Sequence, residues 1–110
     1  MADASHAPEL GGRERRALRR LAHALRPVVQ VGGAGLSDGV IAAVDVALRD
    51  HELVKLEIAR ERDERAELAD AVAARTRSAL AGMAGKMAIL YRPAPDPAKR
   101  RIDLSVERTR

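Results

Sequence analysis

The chain has 110 residues, a third of them charged, with a net charge of +4 and no cysteine. That length holds one hydrophobic core, and without thiols there is neither a disulfide framework nor a thiolate metal site. No apolar run approaches the roughly 20 residues that cross a bilayer. The opening residues also lack the basic start and apolar segment of a secretory signal, so a cytoplasmic protein is expected.

Residues 1–9 are short, polar and turn-prone, and read as a disordered tail. A helix is predicted from about Gly12 to Leu25, where Ala17, Leu18, Leu21, Ala22 and Leu25 recur at three- and four-residue steps. Its arginines fall mostly off that stripe. Pro27 stops the helix, because it has no amide donor and disfavours helical geometry in the residue before it. Val28 to Val31 is β-branched and short, which predicts a buried strand, and Gly32-Gly33-Ala34-Gly35 breaks it. A second helix follows, with Ser37 as N-cap and Val40, Ile41, Val44, Ala47 and Leu48 on its apolar face.

From Leu53 to Ala59 the pattern alternates. Val54, Leu56 and Ile58 point one way, Lys55 and Glu57 the other, as in a half-exposed strand. A third helix is predicted from Asp63 to about Arg75, burying Leu68, Ala69 and Val72. Two strands at Ala79–Ala84 and Lys86–Arg92 then flank a tight turn at Gly85. Pro93, Pro95 and Pro97 read as a stiff linker. In the Pro/Arg-rich tail of residues 94–110, Ile102, Leu104 and Val106 alternate with polar residues, a pattern that fits a docked edge strand. The expected fold is α-β-α-β-α-β-β, three helices packed on a small mixed sheet.

Charge is unevenly spread. Arg13 to Arg26 carries six arginines and one acid; Ser37 to Asp70 carries ten acids and five bases; Arg75 to Arg110 carries nine bases and three acids. Such asymmetry gives the molecule a positive side suited to a polyanion. Between the first strand and the second helix, Gly32 to Gly35 forms a G-x-x-G loop. Gly32 is free to take positive φ, and Gly35 admits close approach of another backbone. Free amides beyond the loop suit a phosphate. A dinucleotide fingerprint starting at Gly33 would need glycine where Asp38 stands, and a P-loop would need a Gly-Lys-Ser/Thr run that is absent.

Six segments, in order, resemble a known family: Arg16-Ala-Leu-Arg-Arg-Leu-Ala-His23, Pro27-Val-Val-Gln-Val-Gly32, Gly35-Leu-Ser-Asp-Gly-Val40, His51-Glu-Leu-Val-Lys-Leu56, Gly85-Lys86 and Leu90-Tyr-Arg-Pro93. Together they are similar to the CRM domain (chloroplast RNA splicing and ribosome maturation), above all its stand-alone bacterial YhbY-type form. The resemblance covers residues 10–93. It implies an RNA-binding fold similar to the C-terminal domain of the third bacterial initiation factor. It also implies that the loop at residues 32–35 works beside a basic first helix, on ribosomal RNA of large-subunit precursors within the pre-ribosomal particle. Two departures stand out. Gly33 and Ala34 offer only backbone where relatives often carry a lysine or polar residue, and Arg77 stands where a glycine commonly ends the third helix.

The candidate RNA contacts are Arg13, Arg16, Arg19, Arg20 and Arg26, the loop Gly32, Gly33, Ala34 and Gly35, and Lys55, Lys86 and Arg92. Arginine suits the role because its planar fork of donors matches phosphate oxygens. Tyr91 is the sole aromatic residue, so stacking of successive bases is nearly unavailable and recognition of folded RNA by shape and backbone is expected. His23 and His51 lack metal-ligand partners, and Ser37 sits outside any nucleophile motif. A non-enzymatic monomer without cofactor is expected, acting away from membranes. The competing expectation is a protein-interaction adaptor whose basic helix meets an acidic partner.

Overall fold

A computed structural model of the chain describes residues 7–104. Helix α1 spans Gly12–Ala22, strand β1 Pro27–Val31, helix α2 Asp38–His51 and strand β2 Leu53–Ile58. Helix α3 spans Arg62–Thr76, strand β3 Ala79–Ala84 and strand β4 Met87–Tyr91, and a 3-10 turn covers Pro97–Lys99. The sheet order is β1-β2-β4-β3. β1 and β2 are parallel, joined through α2, and the other two pairings are antiparallel. This α+β architecture is the one expected.

Alternation along β2 sorts the two faces. Val54, Leu56 and Ile58 join Ala88 and Leu90 of β4 under α2 and α3, with Val44, Leu48, Ala69 and Val72 packed above them. Leu53 faces the other way with Ile89, Tyr91 and Ala81, and there it meets Ala17, Leu18 and Ala22 of α1. Half of the contact layer on the helices is alanine, with Ala17, Ala22, Ala69 and Ala73 buried beside Leu18, Val44, Leu48 and Val72.

Helix α2 begins as expected, with the Ser37 Oγ accepting the Val40 N–H at 3.1 Å. Helix α1 starts with a different device: Glu14, itself buried, accepts the Gly11 N–H on Oε1 at 2.8 Å. This helix stops three residues before the expected end. The Leu25 N–H bonds back to the Ala22 carbonyl at 3.0 Å, tightening the chain into a turn ahead of Pro27. Leu21 and Leu25 therefore leave the core stripe and stand 51% and 38% exposed.

Strand β1 also departs from expectation. Only Val31 is buried, and Val28 is 44% exposed. The reason is its place at the sheet edge, where α2 covers one face but the shortened α1 does not cover the other.

The segment after β4 docks without becoming a strand. Glu52, buried between α2 and β2, accepts N–H bonds from Ala94 and Arg101 at 2.8 Å each and from Ile102 at 3.1 Å. Leu104 is then buried against the α1 face of the sheet. Three otherwise unpaired amides thus find one carboxylate, in place of the expected strand ladder. Val106 and the rest of the tail from residue 105 lie outside the described residues, as does the expected disorder of residues 1–6.

Among the described residues, two other than glycine hold positive φ, Glu52 at 66° and Arg77 at 58°. Arg77 closes α3 in the left-handed conformation that glycine fills most cheaply. The backbone of that helix end is therefore kept although the side chain is unfavourable. Replacing Arg77→Gly should raise unfolding stability by about 0.5–1 kcal/mol in denaturant titration. Replacing Glu52→Ala should lower it by roughly 3 kcal/mol, because the three amides lose a charged acceptor in a buried site. Hydrogen exchange at Ala94, Arg101 and Ile102 should accelerate in the Glu52→Ala protein.

Candidate nucleic-acid interface

The sheet has two ends. One carries the connection after β1, the connection after β2 and the β3–β4 turn, drawn together by the Ala59 N–H on the Val31 carbonyl at 3.2 Å and the Ile58 N–H on the Lys86 carbonyl at 2.8 Å. Gly32 to Gly35, Arg60 and Lys86 therefore share this end. The other carries the end of α2, the start of β2 and the end of β4.

Helix α1 crosses the sheet, with Arg19 over Gly82 of β3 and the carbonyl of His23 beside Lys55 of β2. Leu21 and Leu25 lie toward the start of β2, where they line an apolar depression of about 390 Å³ with Val28, His51, Leu53 and Ile102. The opposite flank carries the cations. Arg16, Arg19, Arg20 and His23 line a shallow, open depression of about 490 Å³ there. Arg13 is exposed in the first turn of the same helix.

Arg19 is fixed rather than free. Its Nη1 donates to the Ala81 carbonyl at 3.1 Å, and its methylenes lie over Gly82, where a Cβ would come within 2.6 Å of Cδ. The glycine in β3 thus makes the groove that aims this guanidinium. Lys55, half-buried on the polar side of β2, donates to the His23 carbonyl at 3.4 Å and so ties down the end of α1. Lys86 is exposed in the β3–β4 turn, where Gly85 holds φ 58°.

Two expected contacts part from this group. Arg26 lies beyond the helix and lines the apolar depression at the far end. Arg92 is spent on the fold: Nη1 meets Asp45 Oδ1 at 2.6 Å and the Thr76 carbonyl at 2.7 Å, while Nη2 donates to the Asp45 carbonyl at 3.0 Å. That clasp joins α2, α3 and β4 at the end of the sheet remote from the loop. Neither residue adds to the basic face.

The loop itself is a tight turn, with the Gly35 N–H on the Gly32 carbonyl at 3.0 Å. Positive φ falls on Gly35, at 72°, not on Gly32 as expected. A Cβ on Gly32 or Gly33 would meet open space. The sequence reading missed Arg60, which lies after β2 and donates Nε and Nη2 to the Gly32 carbonyl and Nη2 again to the Gly33 carbonyl, at 3.0–3.3 Å. Its Nη1 pairs with Glu64 Oε2 at 2.8 Å. No local motif marks it, since its partners are 27 and 28 residues away. Asp38, whose charge stands at the start of α2, pairs with Arg75 at 3.1 Å.

Residues 10–92 match the family model described as the CRS1 / YhbY (CRM) domain. The fold and the matched span together define the class, and the chain belongs to this CRM domain family. It is 41% identical over 93 residues to a probable RNA-binding protein of Pseudomonas aeruginosa, covering 84% of this chain and 89% of the relative. It is 36% identical over 88 residues to an RNA-binding protein of Haemophilus influenzae, covering 79% of this chain and 89% of that one. The solution structure of a candidate RNA-binding protein of Staphylococcus aureus superposes with a TM-score of 0.74 at 31% identity, over 86% of this chain and all of the other.

The glycines of the loop should differ in their tolerance of a side chain. Gly35→Ala forces an L residue into the left-handed region and should cost about 1 kcal/mol of stability. Gly33→Ala should stay within about 0.5 kcal/mol of the parent protein. Paired thermal melts check both.

Proposed function

We propose that the protein is a non-catalytic RNA-binding factor that grips folded RNA, with ribosomal RNA of large-subunit precursors as its ligand in the cytoplasm. One observation carries this reading: Arg16, Arg19, Arg20 and His23 converge on one flank of α1 and line a single open depression. Arg16 and Arg20 stand exposed there, Arg19 is seated on Gly82, and Lys86 is exposed in the β3–β4 turn. Such a surface offers guanidinium forks and backbone donors to phosphates. The naming of the Pseudomonas and Haemophilus relatives as RNA-binding proteins supports the same reading.

The mode of binding follows from what the surface lacks. Tyr91 is buried in the sheet, so it offers no ring to a base. Phosphate and shape therefore dominate, and affinity depends on salt through released counterions. Among ligands inside a cell, helical ribosomal RNA presents such phosphate arrays in abundance, and the family resemblance favours the large-subunit precursor. The factor acts as a monomer and leaves its ligand chemically unchanged.

For a stem-loop RNA, log K should fall linearly with log salt concentration. The double reversal Arg16→Glu with Arg20→Glu should reduce affinity at least about tenfold and flatten that slope by about two contacts. These two positions are chosen because Arg19 is also a packing residue. A double variant that keeps its circular dichroism and binds as tightly as the parent would reject the surface. Crosslinking in cells, followed by sequencing of the bound RNA, tests the ribosomal ligand; reads confined to other transcripts would reject it. Nuclease treatment of the native complex separates this reading from the adaptor alternative, since an adaptor keeps its protein partner after the RNA is digested.

A further inference from the structure

We infer that Arg60 is the positioning residue of the glycine loop, holding the Gly33 and Ala34 amides outward as a preformed phosphate cradle. The inference rests on the RNA-binding reading above and assigns one residue to a task within it.

The geometry begins with the peptide group. A trans peptide is planar, so its N–H points opposite to its carbonyl. Arg60 captures the carbonyls of Gly32 and Gly33, which belong to the two peptides whose N–H groups come from Gly33 and Ala34. With both carbonyls turned in toward the guanidinium, both N–H groups turn away from it. Gly33 and Ala34 are exposed, and neither side chain shields its amide. Two adjacent donors facing solvent in one turn make a concave anion site of the nest type.

The same contacts explain why Arg60 acts through the loop and not on the ligand. Nε and Nη2 serve the loop carbonyls, and Nη1 serves Glu64. Every nitrogen of the fork therefore has an internal partner, and the side chain is only 25% exposed. A lysine in its place would supply charge but could not hold the same planar set of bonds. The loop carries no cation of its own, so rigidity is what the chain contributes here. A turn with four small residues would otherwise sample many conformations, and ordering it on binding would cost affinity.

The test uses the full chain and a fluorescently labelled stem-loop RNA, with Arg60→Ala and Arg60→Lys beside the parent and the Arg16→Glu/Arg20→Glu protein. Arg60→Ala should weaken binding about tenfold, the equivalent of one to two lost hydrogen bonds. Its salt slope should match the parent, because no phosphate-neutralising cation is removed. Arg60→Lys should fail to restore affinity. In the free proteins, the Gly33 and Ala34 amide resonances should shift in both variants, while core amides stay protected from exchange.

Unchanged affinity in folded Arg60→Ala overturns the inference. So does restoration by Arg60→Lys, or a slope reduced by about one contact, either of which would make Arg60 a direct phosphate ligand. Unmoved Gly33 and Ala34 resonances overturn it as well. If Arg60→Ala binds normally while the α1 double reversal does not, the RNA-binding reading stands and only the positioning role falls. If the parent protein ignores the RNA altogether, the RNA-binding reading itself fails.

Discussion

Strand β2 is the constraint on which the rest of the molecule depends. It lies between a parallel and an antiparallel neighbour, and it sends alternate side chains into two different cores. A shift of one residue in its pairing would exchange Val54, Leu56 and Ile58 for Lys55 and Glu57, burying charge under α2 and α3. The residue just before it, Glu52, accepts a left-handed backbone and a buried carboxylate. What offsets both costs is the set of three amide bonds through which the chain beyond β4 closes over the α1 face.

The arginines divide into two kinds, and the division shapes the surface. Arg19, Arg60, Arg65, Arg92 and Arg100 each donate to a backbone carbonyl. In a chain with short strands and tight turns, these long side chains satisfy carbonyls that no ladder reaches. They can do so because the aliphatic stem lies along apolar surface while the guanidinium keeps a polar partner. A count of arginines therefore overstates the charge free to meet a ligand. The surface offers fewer free cations than the sequence carries, and their placement matters more than their number.

The far end of the sheet has a different character. Because α1 stops at Ala22, Leu21, Leu25 and Val28 surround a depression there instead of filling the core. Arg26 stands beside them. Helix α1 thus carries cations on one flank and exposed leucines on another, and the amphipathic pattern that suggested one buried stripe is shared between core and surface.

Periodicity and turn chemistry made most of the architecture legible. The alternation from Leu53, the Ser37 cap, the breaks at Pro27 and Gly85, and the three apolar helix stripes are local signals, and each gave the right element. The ordered motifs from Arg16 to Pro93 were enough to indicate the family, since their spacing reflects the whole fold. The sequence alone also showed where positive charge is concentrated. What it left undecided were contacts between residues distant in the chain. Arg60 on Gly32, Arg92 on Asp45 and Thr76, Arg19 on Ala81, and Glu52 on Arg101 join positions 16 to 62 residues apart. Hydrogen-bond partners of this kind depend on which loops meet once the sheet has formed, and only the tertiary structure decides that.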